Sequence, residues 1–402
     1  MTDSTQIRTL QDELVAELVA RYAVPRSEVR AVLAPYRVCP LGAHIDHQLG
    51  RVTAMALDRG VLLCYAPWPE PELRLSSRDL PGEVRFRLDS VGAVVPGDWG
   101  NYLRGAVLAL QQRYSLRTGM VGITAGSVPE GGLSSSAAVG VAYLLALEDV
   151  NGLSISAVEN ILLDQYIENN YLGLHNGVLD QSAILLSRAG HLTVIDCAAL
   201  EHQLIAKPAD MPQFAVLIVF SGLRQALVST DYNRRVAECT EAARVLLAAA
   251  GRPYQPPLLR NVAPQEYLAY RHLLGGAAAR RAEHFFSEME RVEQGIQAWQ
   301  RGNLGRFGQL VSASGRSSID NYQCGAPPLV DLYKLLVGSD GVFGARFSGA
   351  GFRGCCLALV DPPAAQTVVQ QVLDQYRKLY PELAPHAHAM VCATADGAAV
   401  VK

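Results

Sequence analysis

Apolar residues recur at two different spacings along the first half of the chain. Short runs in which nearly every position is apolar alternate with longer stretches whose apolar residues return every three or four positions. The first spacing is typical of buried strands and the second of helices. Near the start, Leu10, Leu14 and Leu18 predict an amphipathic surface helix. The pattern then predicts strands at residues 29–38, 61–66, 121–125 and 192–195, and helices at residues 99–114, 136–149 and 156–169.

The pattern changes in the second half of the chain. It breaks at residues 206–212, and the apolar run at 214–220 predicts a new strand. A mainly helical stretch follows between residues 230 and 338, interrupted by prolines at 253–264. The remaining elements are strands at 344–348 and 355–360, a helix at 364–380 and a last strand near 389–394. Together these elements predict a mixed α+β fold with two domains, residues 1–205 and 206–402.

Composition narrows the possible classes of function. Of the 402 residues, 50% are hydrophobic and 18% are charged, which is typical of a compact globular protein. The net charge of -3 gives no reason to expect nucleic acid or an anionic membrane as a partner. The longest apolar stretch, residues 137–147, is too short to cross a bilayer, and the first residues do not resemble a signal peptide. Eight cysteines without CxxC pairs favour reduced thiols and a cytoplasmic protein.

The segment most informative about chemistry is SVPEGGLSSSAAVGVAYLLAL, residues 127–147. Proline and glycines interrupt regular structure, three serines follow, and an apolar helix begins directly after them. Glycine lets the backbone approach a ligand closely, and the exposed N–H groups of a helix N-terminus favour an anion. A serine hydroxyl at this point can also bind the Mg²⁺ that accompanies ATP. A serine turn that only caps a buried helix explains the residues equally well, and no Walker-type GxxxxGK[ST] occurs.

A second polar cluster lies in PLGAHIDHQLG, residues 40–50. His44, Asp46 and His47 fall within four positions, so the segment is compatible with a metal site, a catalytic pair or a polar turn. A metal-dependent hydrolase needs a further ligand at metal spacing, and none is evident in the sequence. The metal site is therefore the weakest of the three interpretations.

Four ordered segments resemble the GHMP kinases, the superfamily that includes galactokinase, homoserine kinase and mevalonate kinase. PEGGLSSSA (129–137) is similar to the family's phosphate-binding motif 2, APYRVCPLGAHID (34–46) to galactokinase motif 1, and FSGAGFRGC (347–355) to motif 3, usually TGGGFGGC. NGVLDQ (176–181) resembles the segment that carries the galactokinase catalytic aspartate. The resemblance implies a two-domain α+β GHMP kinase fold. Its parts are a ribosomal protein S5 domain 2-like N-terminal domain and a ferredoxin-like C-terminal domain, with the active site between them.

The resemblance also implies a catalytic pair and a metal site. Asp180 would accept the proton of a sugar's C1 hydroxyl as general base, while Arg37 would keep Asp180 ionised and steady the incoming phosphoryl group. The structural alternative is a buried Arg–Asp ion pair that only ties two segments together. Ser136 and Glu168 are the expected Mg²⁺ ligands, because Glu168 precedes Asp180 by the family's usual spacing. The alternative for Glu168 is a solvated helix residue.

The same resemblance predicts which residues bind the two substrates. The expected sugar-binding residues are Ala43, His44, Asp46, Gly177 and Tyr232. ATP is expected to contact motif 2, two glycines of motif 3 and three residues near the adenine, namely Pro129, Gly131, Gly132, Leu133, Ser134, Ser135, Ser136, Ala137, Gly349, Gly351, Ser76, Trp99 and Tyr102.

Ala43 distinguishes this chain from typical galactokinases, whose GEHTD motif has a glutamate that faces the O6 hydroxyl of the sugar. A glutamate would repel a substrate whose C6 is a carboxylate, and alanine removes that repulsion and leaves space for the extra oxygen. The surrounding segments also resemble those of plant-type galacturonokinases. The sequence therefore predicts ATP- and Mg²⁺-dependent phosphorylation of D-galacturonic acid at C1, by a monomer or weak homodimer.

Two alternative functions stay open at this point. A galactokinase would phosphorylate D-galactose with the same motifs. The fold also occurs in catalytically silent sugar and ATP sensors, but those lineages have lesions in the phosphate motif, whereas residues 134–138 are intact here.

Overall fold

The computed structural model describes residues 3–126, 131–223, 231–253 and 256–401. The α-helices in these ranges are α1 (Asp3–Tyr22), α2 (Asn101–Gln111), α3 (Ser135–Asn151), α4 (Ala157–Tyr166), α5 (Leu179–Leu186), α6 (Tyr232–Ala249), α7 (Pro264–Tyr270), α8 (Gly276–Gln300), α9 (Leu304–Ser317), α10 (Pro327–Val337) and α11 (Ala365–Leu379). The strands are β1 (Arg30–Val38), β2 (Arg51–Trp68), β3 (Glu72–Ser77), β4 (Glu83–Arg87), β5 (Gly119–Ala125), β6 (His191–Asp196), β7 (Glu201–Ala206), β8 (Ala215–Phe220), β9 (Val342–Ser348), β10 (Cys355–Val360), β11 (His388–Cys392), β12 (Thr394–Ala395) and β13 (Ala399–Val401).

β2 is the central strand of a nine-stranded sheet whose main order is β13-β1-β2-β5-β3-β4. Its 18 residues pair with β6 at the start, with β12 in the middle, and with β1 and β5 further along. Side chains alternate between the two faces: Val61, Leu63 and Tyr65 share a core cluster with α3, while Leu62 and Cys64 pack with α1. This two-residue period is what a strand covered on both faces requires.

A four-stranded antiparallel sheet of order β11-β8-β10-β9 forms most of the second half. Its strands alternate in the same way, because Val216 and Ile218 of β8 share a cluster with Trp299 of α8 and Phe307 of α9. Leu217 of the same strand belongs to a second cluster, which includes residues of α10 and α11. Helices therefore cover both faces of this sheet. The cluster around Trp299 also continues into the core of the large sheet.

Most of the predicted elements are confirmed with small shifts at their ends. The strand predicted at 29–38 is β1, and the helix predicted at 364–380 is α11. The helix predicted at 156–169 ends at Tyr166 and continues as a π-helical turn, Ile167–Tyr171. The sequence pattern missed α5, β3, β4, β7 and the first ten residues of β2. The strands β3, β4 and β7 carry charged or polar residues at exposed positions and so lack a continuous apolar run.

The last strands of the chain return to the first sheet. β12 pairs with β2, and β13 pairs with β1, with Ala31 opposite Val401. Residues 394–401 therefore complete the large sheet, although the sequence pattern grouped them with the second domain. Local periodicity could not show this pairing, because the hydrogen-bond partner of a strand lies elsewhere in the chain. The division near residue 205 stays a prediction.

α3 crosses the core of the large sheet and is buried on nearly all sides. No helix within the described residues is both long and apolar enough to span a membrane.

Near the end of α3, Glu148 is only 6% exposed, and burial raises its pKa to about 7. Its Oε1 and the Oδ1 of the neighbouring Asn160 have no hydrogen-bond partner within the described ranges. The buried carboxylate is therefore a cost to stability at neutral pH.

We expect Glu148→Gln to raise the free energy of unfolding at pH 8 by about 1–3 kcal/mol, since it removes a buried charge and adds an amide donor. The pKa of Glu148 is higher in the folded state than its ordinary value of 4.5. The contribution of Glu148 to the wild-type free energy of unfolding is thus lost as pH rises from about 4.5 to about 7. The difference in free energy of unfolding between the glutamine variant and wild type should therefore become smaller towards pH 5. Urea unfolding at both pH values measures this, with the exposed Glu382→Gln as control. An equal gain at both pH values would contradict the assignment.

Candidate active site

A cleft opens where the N-terminal ends of α3 and α5 meet the segment after β1 and the turn between β9 and β10. These elements carry the four motifs, which are far apart in the sequence. The tertiary fold therefore brings most of the predicted site residues together. Those that line the cleft are Arg37, Ala43, His44, Asp46, Gly131, Gly132, Ser134, Ser135, Ser136, Glu168, Asp180, Tyr232 and Gly349.

The start of α3 depends on backbone conformations that favour glycine. Gly131 and Gly132 have φ angles of 76° and 98°, in the left-handed region. The turn before β10 packs tightly on them, because a Cβ on Gly354 would lie 2.5 Å from the carbonyl oxygen of Gly131. Ser134 precedes α3 with a φ of 54°, and its side chain does not cap the helix. The first N–H groups of α3 thus lack a cap from Ser134, which suits the binding of an anion.

Asp180 is held from two sides in the first turn of α5. Arg37, near the end of β1, donates its Nε–H to Oδ1 of Asp180 at 2.7 Å and an Nη1–H to the carbonyl oxygen of Gly132 at 3.2 Å. Ser134 donates its hydroxyl to Oδ2 of Asp180. Burial acts to lower the pKa of Arg37, but the charge and hydrogen bond of Asp180 raise it above its usual value. Arg37 is therefore always charged, and the orientation of the Asp180 carboxylate is fixed.

The turn after β1 lines the other end of the cleft. His44 has a φ of 65°, and its ring stacks on Tyr322 with 4.4 Å between the ring centroids. Asp46 is 8% exposed, and its pKa is raised to about 6, first by burial and then by the charge of Asp180. A Cβ on Gly177 would lie 2.5 Å from the carbonyl carbon of Asp46. Gly177 therefore supports the backbone of Asp46 and does not itself line the main cleft.

His47 has partners different from those of His44. Its Nε2 lies 3.2 Å from the hydroxyl of Tyr322, and its Nδ1 lies 3.2 Å from Nε2 of Gln48. Burial lowers the pKa of His47 to about 4 and, together with the charge of Arg346, lowers that of His44 well below its usual value. Both rings are therefore neutral near pH 7. No group of three His, Cys, Asp or Glu side chains within the described residues is arranged to hold a metal ion.

Glu168 and Asp164 form a buried acidic pair near Asp180. Glu168 is 2% exposed and accepts a hydrogen bond from Asn176, and its pKa is raised to about 7 by burial and by the charge of Asp180. Asp164 is 0% exposed, and neither of its carboxylate oxygens has a hydrogen-bond partner among the described residues. Burial and then the charge of Glu168 raise its pKa well above the usual value. Gly140 of α3 leaves room for Asp164, because a Cβ there would lie 2.0 Å from Oδ1.

This concentration of buried carboxylates fits a divalent cation. Mg²⁺ prefers oxygen ligands and would offset the negative charge that burial disfavours. Ser136, in the first turn of α3, lines the same cleft and is hydrogen-bonded to Glu168. Ser136, Glu168 and the oxygens of Asp164 are thus a donor set that a phosphate-bound Mg²⁺ could complete.

The three residues predicted near the adenine are not gathered in one place. Trp99 lines a second cleft of about 850 Å³, and its indole N–H donates to the carbonyl oxygen of Pro81 at 3.1 Å. Tyr102 lies beside Ser136, with which it shares a hydrogen bond. Ser76 is buried in β3 and lines neither cleft. Trp99, which precedes α2, and Tyr102, in the first turn of α2, therefore do not share one cleft.

Three of the remaining predicted ATP residues, Leu133, Ala137 and Gly351, are packed in the interior and do not line the cleft. Leu133 and Ala137 are fully buried in the core beneath it. Gly351 packs against Cys324, since a Cβ there would lie 2.8 Å from the sulfur atom. Pro129 lies outside the described residues.

Sequence reasoning missed two side chains of α8 that hold the turn containing Ala43. Nε2 of His284 lies 3.0 Å from the carbonyl oxygen of Ala43, and Glu288 accepts the backbone N–H of Gly42 at 2.8 Å. Glu288 is fully buried, yet its pKa is lowered to about 2, because neighbouring positive charges such as Arg291 outweigh the effect of burial. The signal available in the sequence was a His and a Glu four positions apart within the apolar stripe of a helix.

Comparisons with known proteins agree with this geometry. Family models of the GHMP kinases N-terminal domain and C-terminal domain match residues 101–188 and 296–378. A galacturonokinase of Arabidopsis thaliana is 50% identical over 97% of both chains, and a galactokinase of Roseiflexus sp. (strain RS-1) is 33% identical over 91% of both chains. The crystal structure of Lactococcus lactis galactokinase complexed with galactose has a TM-score of 0.89 and 27% identity, covering 97% of this chain and 99% of that chain. Methanococcus jannaschii mevalonate kinase, with a TM-score of 0.63 and 17% identity over 92% of this chain and 99% of that chain, shares the fold.

This fold of two sheets, with the start of a helix beside an Arg–Asp ion pair, is shared with small-molecule kinases. The chain belongs to the GHMP kinase family. It is a kinase enzyme of the galactokinase-like branch, and it is more similar to the plant galacturonokinase than to the bacterial galactokinase of Roseiflexus.

Proposed function

We propose that the protein transfers the γ-phosphoryl group of ATP to the C1 hydroxyl of D-galacturonic acid, giving galacturonic acid 1-phosphate and ADP. The observation that carries this proposal is the 50% identity with a galacturonokinase over 97% of both chains. The match covers 97% of this chain, so it spans both halves of the chain that contribute residues to the cleft.

The sugar end of the cleft supports a substrate that carries its own carboxylate. Ala43 lines the cleft, and the contact of His284 with its carbonyl oxygen fixes its position. A glutamate here would add a third negative charge near Asp46 and Asp180, in surroundings where the pKa of Asp46 is already raised. With alanine at position 43 and a neutral His44 beside it, a C6 carboxylate meets less repulsion at this end than it would with a glutamate at position 43.

The nucleotide is proposed to bind at the other end of the cleft. Its phosphates would lie on the first N–H groups of α3 and on the backbone of the glycines that line the cleft. Ser136 and Glu168 would hold Mg²⁺, with Asp164 directly behind Glu168. When bound, the cation would supply charge neutralisation for the β- and γ-phosphate oxygens.

The Asp180 carboxylate is proposed to orient the C1 hydroxyl and to take its proton as the hydroxyl oxygen forms its bond to the γ-phosphorus. The bond between that phosphorus and the terminal oxygen of ADP breaks in the same step. Arg37 keeps the carboxylate in place and lies close enough to stabilise negative charge on the transferred group. Because the transition state of such transfers is loose, positioning by Asp180 contributes as much as proton removal.

Galactokinase activity is the second candidate function. It is supported by the TM-score of 0.89 with a galactokinase that was crystallised with galactose, and by the retained His44 and Asp46. The feature that separates the two candidates is Ala43.

We also propose a cytoplasmic location and a monomer or weak homodimer. All eight cysteines are free and buried, which suits a reducing compartment.

Steady-state kinetics with galacturonate, galactose, glucuronate and arabinose test the proposed substrate. We expect kcat/KM for galacturonate to exceed that for galactose at least about tenfold, which corresponds to about 1.4 kcal/mol, because galactose lacks the C6 carboxylate and would leave unpaired the polar groups that bind it. Equal or higher kcat/KM on galactose would overturn the assignment to a uronic acid.

Ala43→Glu tests the role of this position in selectivity. We expect kcat/KM for galacturonate to fall about 100-fold or more, because two carboxylates would face each other in a shielded site, while galactose turnover should be no worse. Ala43→Gln is the matched control, since it adds the same volume without the charge. Equal losses with Glu and Gln would assign the effect to volume alone.

Asp180→Ala should retain nucleotide binding and lose nearly all turnover, because the C1 hydroxyl is no longer oriented. Alanine also leaves Arg37 without its ionic partner, so Asp180→Asn, whose amide oxygen can still accept a hydrogen bond, separates catalysis from folding. Calorimetry with ADP and single-turnover kinetics measure the two effects, with the exposed Asp374→Asn as control. An Asp180 variant that keeps more than about a tenth of wild-type kcat would exclude this residue as the principal catalytic group.

A further inference from the structure

Motif 3 contains a charged residue that the reaction described above does not use. FSGAGFRGC has Arg353 at a position where the usual motif, TGGGFGGC, has glycine. The side chain of Arg353 lines the catalytic cleft. A guanidinium group in a kinase active site has a defined chemistry, because its planar set of donors matches the oxygens of a phosphate.

The backbone around Arg353 is held against the phosphate loop by glycines. A Cβ on Gly354 would lie 2.5 Å from the carbonyl oxygen of Gly131, and a Cβ on Gly349 would lie 3.0 Å from Cα of Gly132. The turn therefore packs backbone to backbone on the loop, and Arg353 is the one long side chain between these contacts that lines the cleft.

The guanidinium group of Arg353 lies directly over the phosphate loop. A Cβ added at Gly131 would lie 2.8 Å from Cζ of Arg353 and 3.1 Å from each of its Nη atoms. The charge of Arg353 also acts on Tyr102, which shares a hydrogen bond with Ser136 at the start of α3. These contacts place Arg353 against Gly131 and near the start of α3.

Arg37 and Arg353 are the two cationic residues among those described that line the cleft, and they lie against different glycines, Gly132 and Gly131. Arg37 already donates to the carbonyl oxygen of Gly132 and to Asp180, the proposed base for the sugar hydroxyl. Arg353 lies against Gly131, where the phosphates of ATP are proposed to bind. Burial lowers the pKa of Arg353, which shows that its charge is partly removed from water, and a phosphate anion would restore that lost solvation.

We propose that Arg353 binds the β- and γ-phosphate oxygens of ATP and stabilises the charge that moves onto ADP as the phosphoryl group leaves. As the bond from the C1 oxygen to the γ-phosphorus forms, the electron pair of the breaking bond passes to the bridging oxygen, which becomes a terminal oxygen of ADP. Arg37 acts at the acceptor and Arg353 at the leaving group. The inference rests on the proposed kinase reaction but not on the identity of the sugar.

Arg353→Gln tests this role with two separate measurements. In calorimetry with Mg²⁺ and AMP-PNP, a non-hydrolysable ATP analogue, we expect binding to weaken about 10- to 50-fold, whereas AMP, which lacks both phosphates, should bind within about twofold of wild type. In steady-state kinetics kcat should fall about 100- to 1,000-fold, with the KM for galacturonate within about threefold.

Two further variants complete the design. Arg353→Lys should recover part of the AMP-PNP affinity, because it keeps the charge, but less of kcat, because it lacks the planar donors. It also provides the test if the glutamine variant shows a lowered thermal midpoint. Arg280→Gln, an exposed arginine on α8, is the matched control and should change neither measurement.

Unchanged AMP-PNP affinity and unchanged kcat in folded Arg353→Gln would overturn the proposal. So would a loss confined to the KM for galacturonate with galactose unaffected, since that result assigns Arg353 to the sugar carboxylate. The AMP-PNP measurement needs no sugar. A wild-type enzyme that binds AMP-PNP but phosphorylates none of the sugars would therefore refute the proposed function and still test Arg353.

Discussion

The ion pair between the buried Arg37 and the partly exposed Asp180 is the interaction around which the cleft is organised. It joins the end of β1 to the start of α5, and the hydroxyl of Ser134 adds the start of α3 to the same group. Removing two charges from water is costly and is offset only when their remaining hydrogen bonds are satisfied. That condition is met here, because both oxygens of Asp180 accept bonds and Arg37 also donates to the carbonyl oxygen of Gly132. The pair therefore fixes three elements relative to one another and presents one carboxylate to the cleft in a single orientation.

The electrostatics of the cleft suit a substrate that is bound together with a metal ion. Burial raises the pKa of Asp46, Asp164 and Glu168, while it keeps His44 and His47 neutral. A cation nearby, such as the Mg²⁺ that accompanies ATP, would offset the charge of these buried carboxylates when they are ionised. A further glutamate at position 43 would add to that charge at the end of the cleft lined by His44 and Asp46. The small side chain there and the acidic pair of Asp164 and Glu168 are thus parts of one charge balance.

Close backbone contacts between the two halves of the chain decide the shape of the site. Gly349 and Gly354, from the second half, pack directly on Gly132 and Gly131 from the first, and α8 holds the turn at Ala43 through His284 and Glu288. The C-terminal strands β12 and β13 extend the large sheet, so the end of the chain packs with the first half of the sequence. Neither half forms the cleft alone, and small changes at these glycines would alter the distance between the phosphate loop and the sugar-binding turn.

The sequence alone was enough to predict the family, the main strands and helices, and most of the residues that meet in the cleft. These follow from local information: apolar periodicity, the glycine and serine pattern of the phosphate loop, and ordered motifs whose residue types match their chemistry. Only the tertiary structure showed that Ser134 bonds to Asp180, that Asp164 lies beside Glu168 with no hydrogen-bond partner among the described residues, and that His284 holds Ala43. It also separated Trp99 from the main cleft and placed the last strands in the first sheet. Each of these depends on which distant segments come into contact, and burial and charge at such contacts have no counterpart in local sequence spacing.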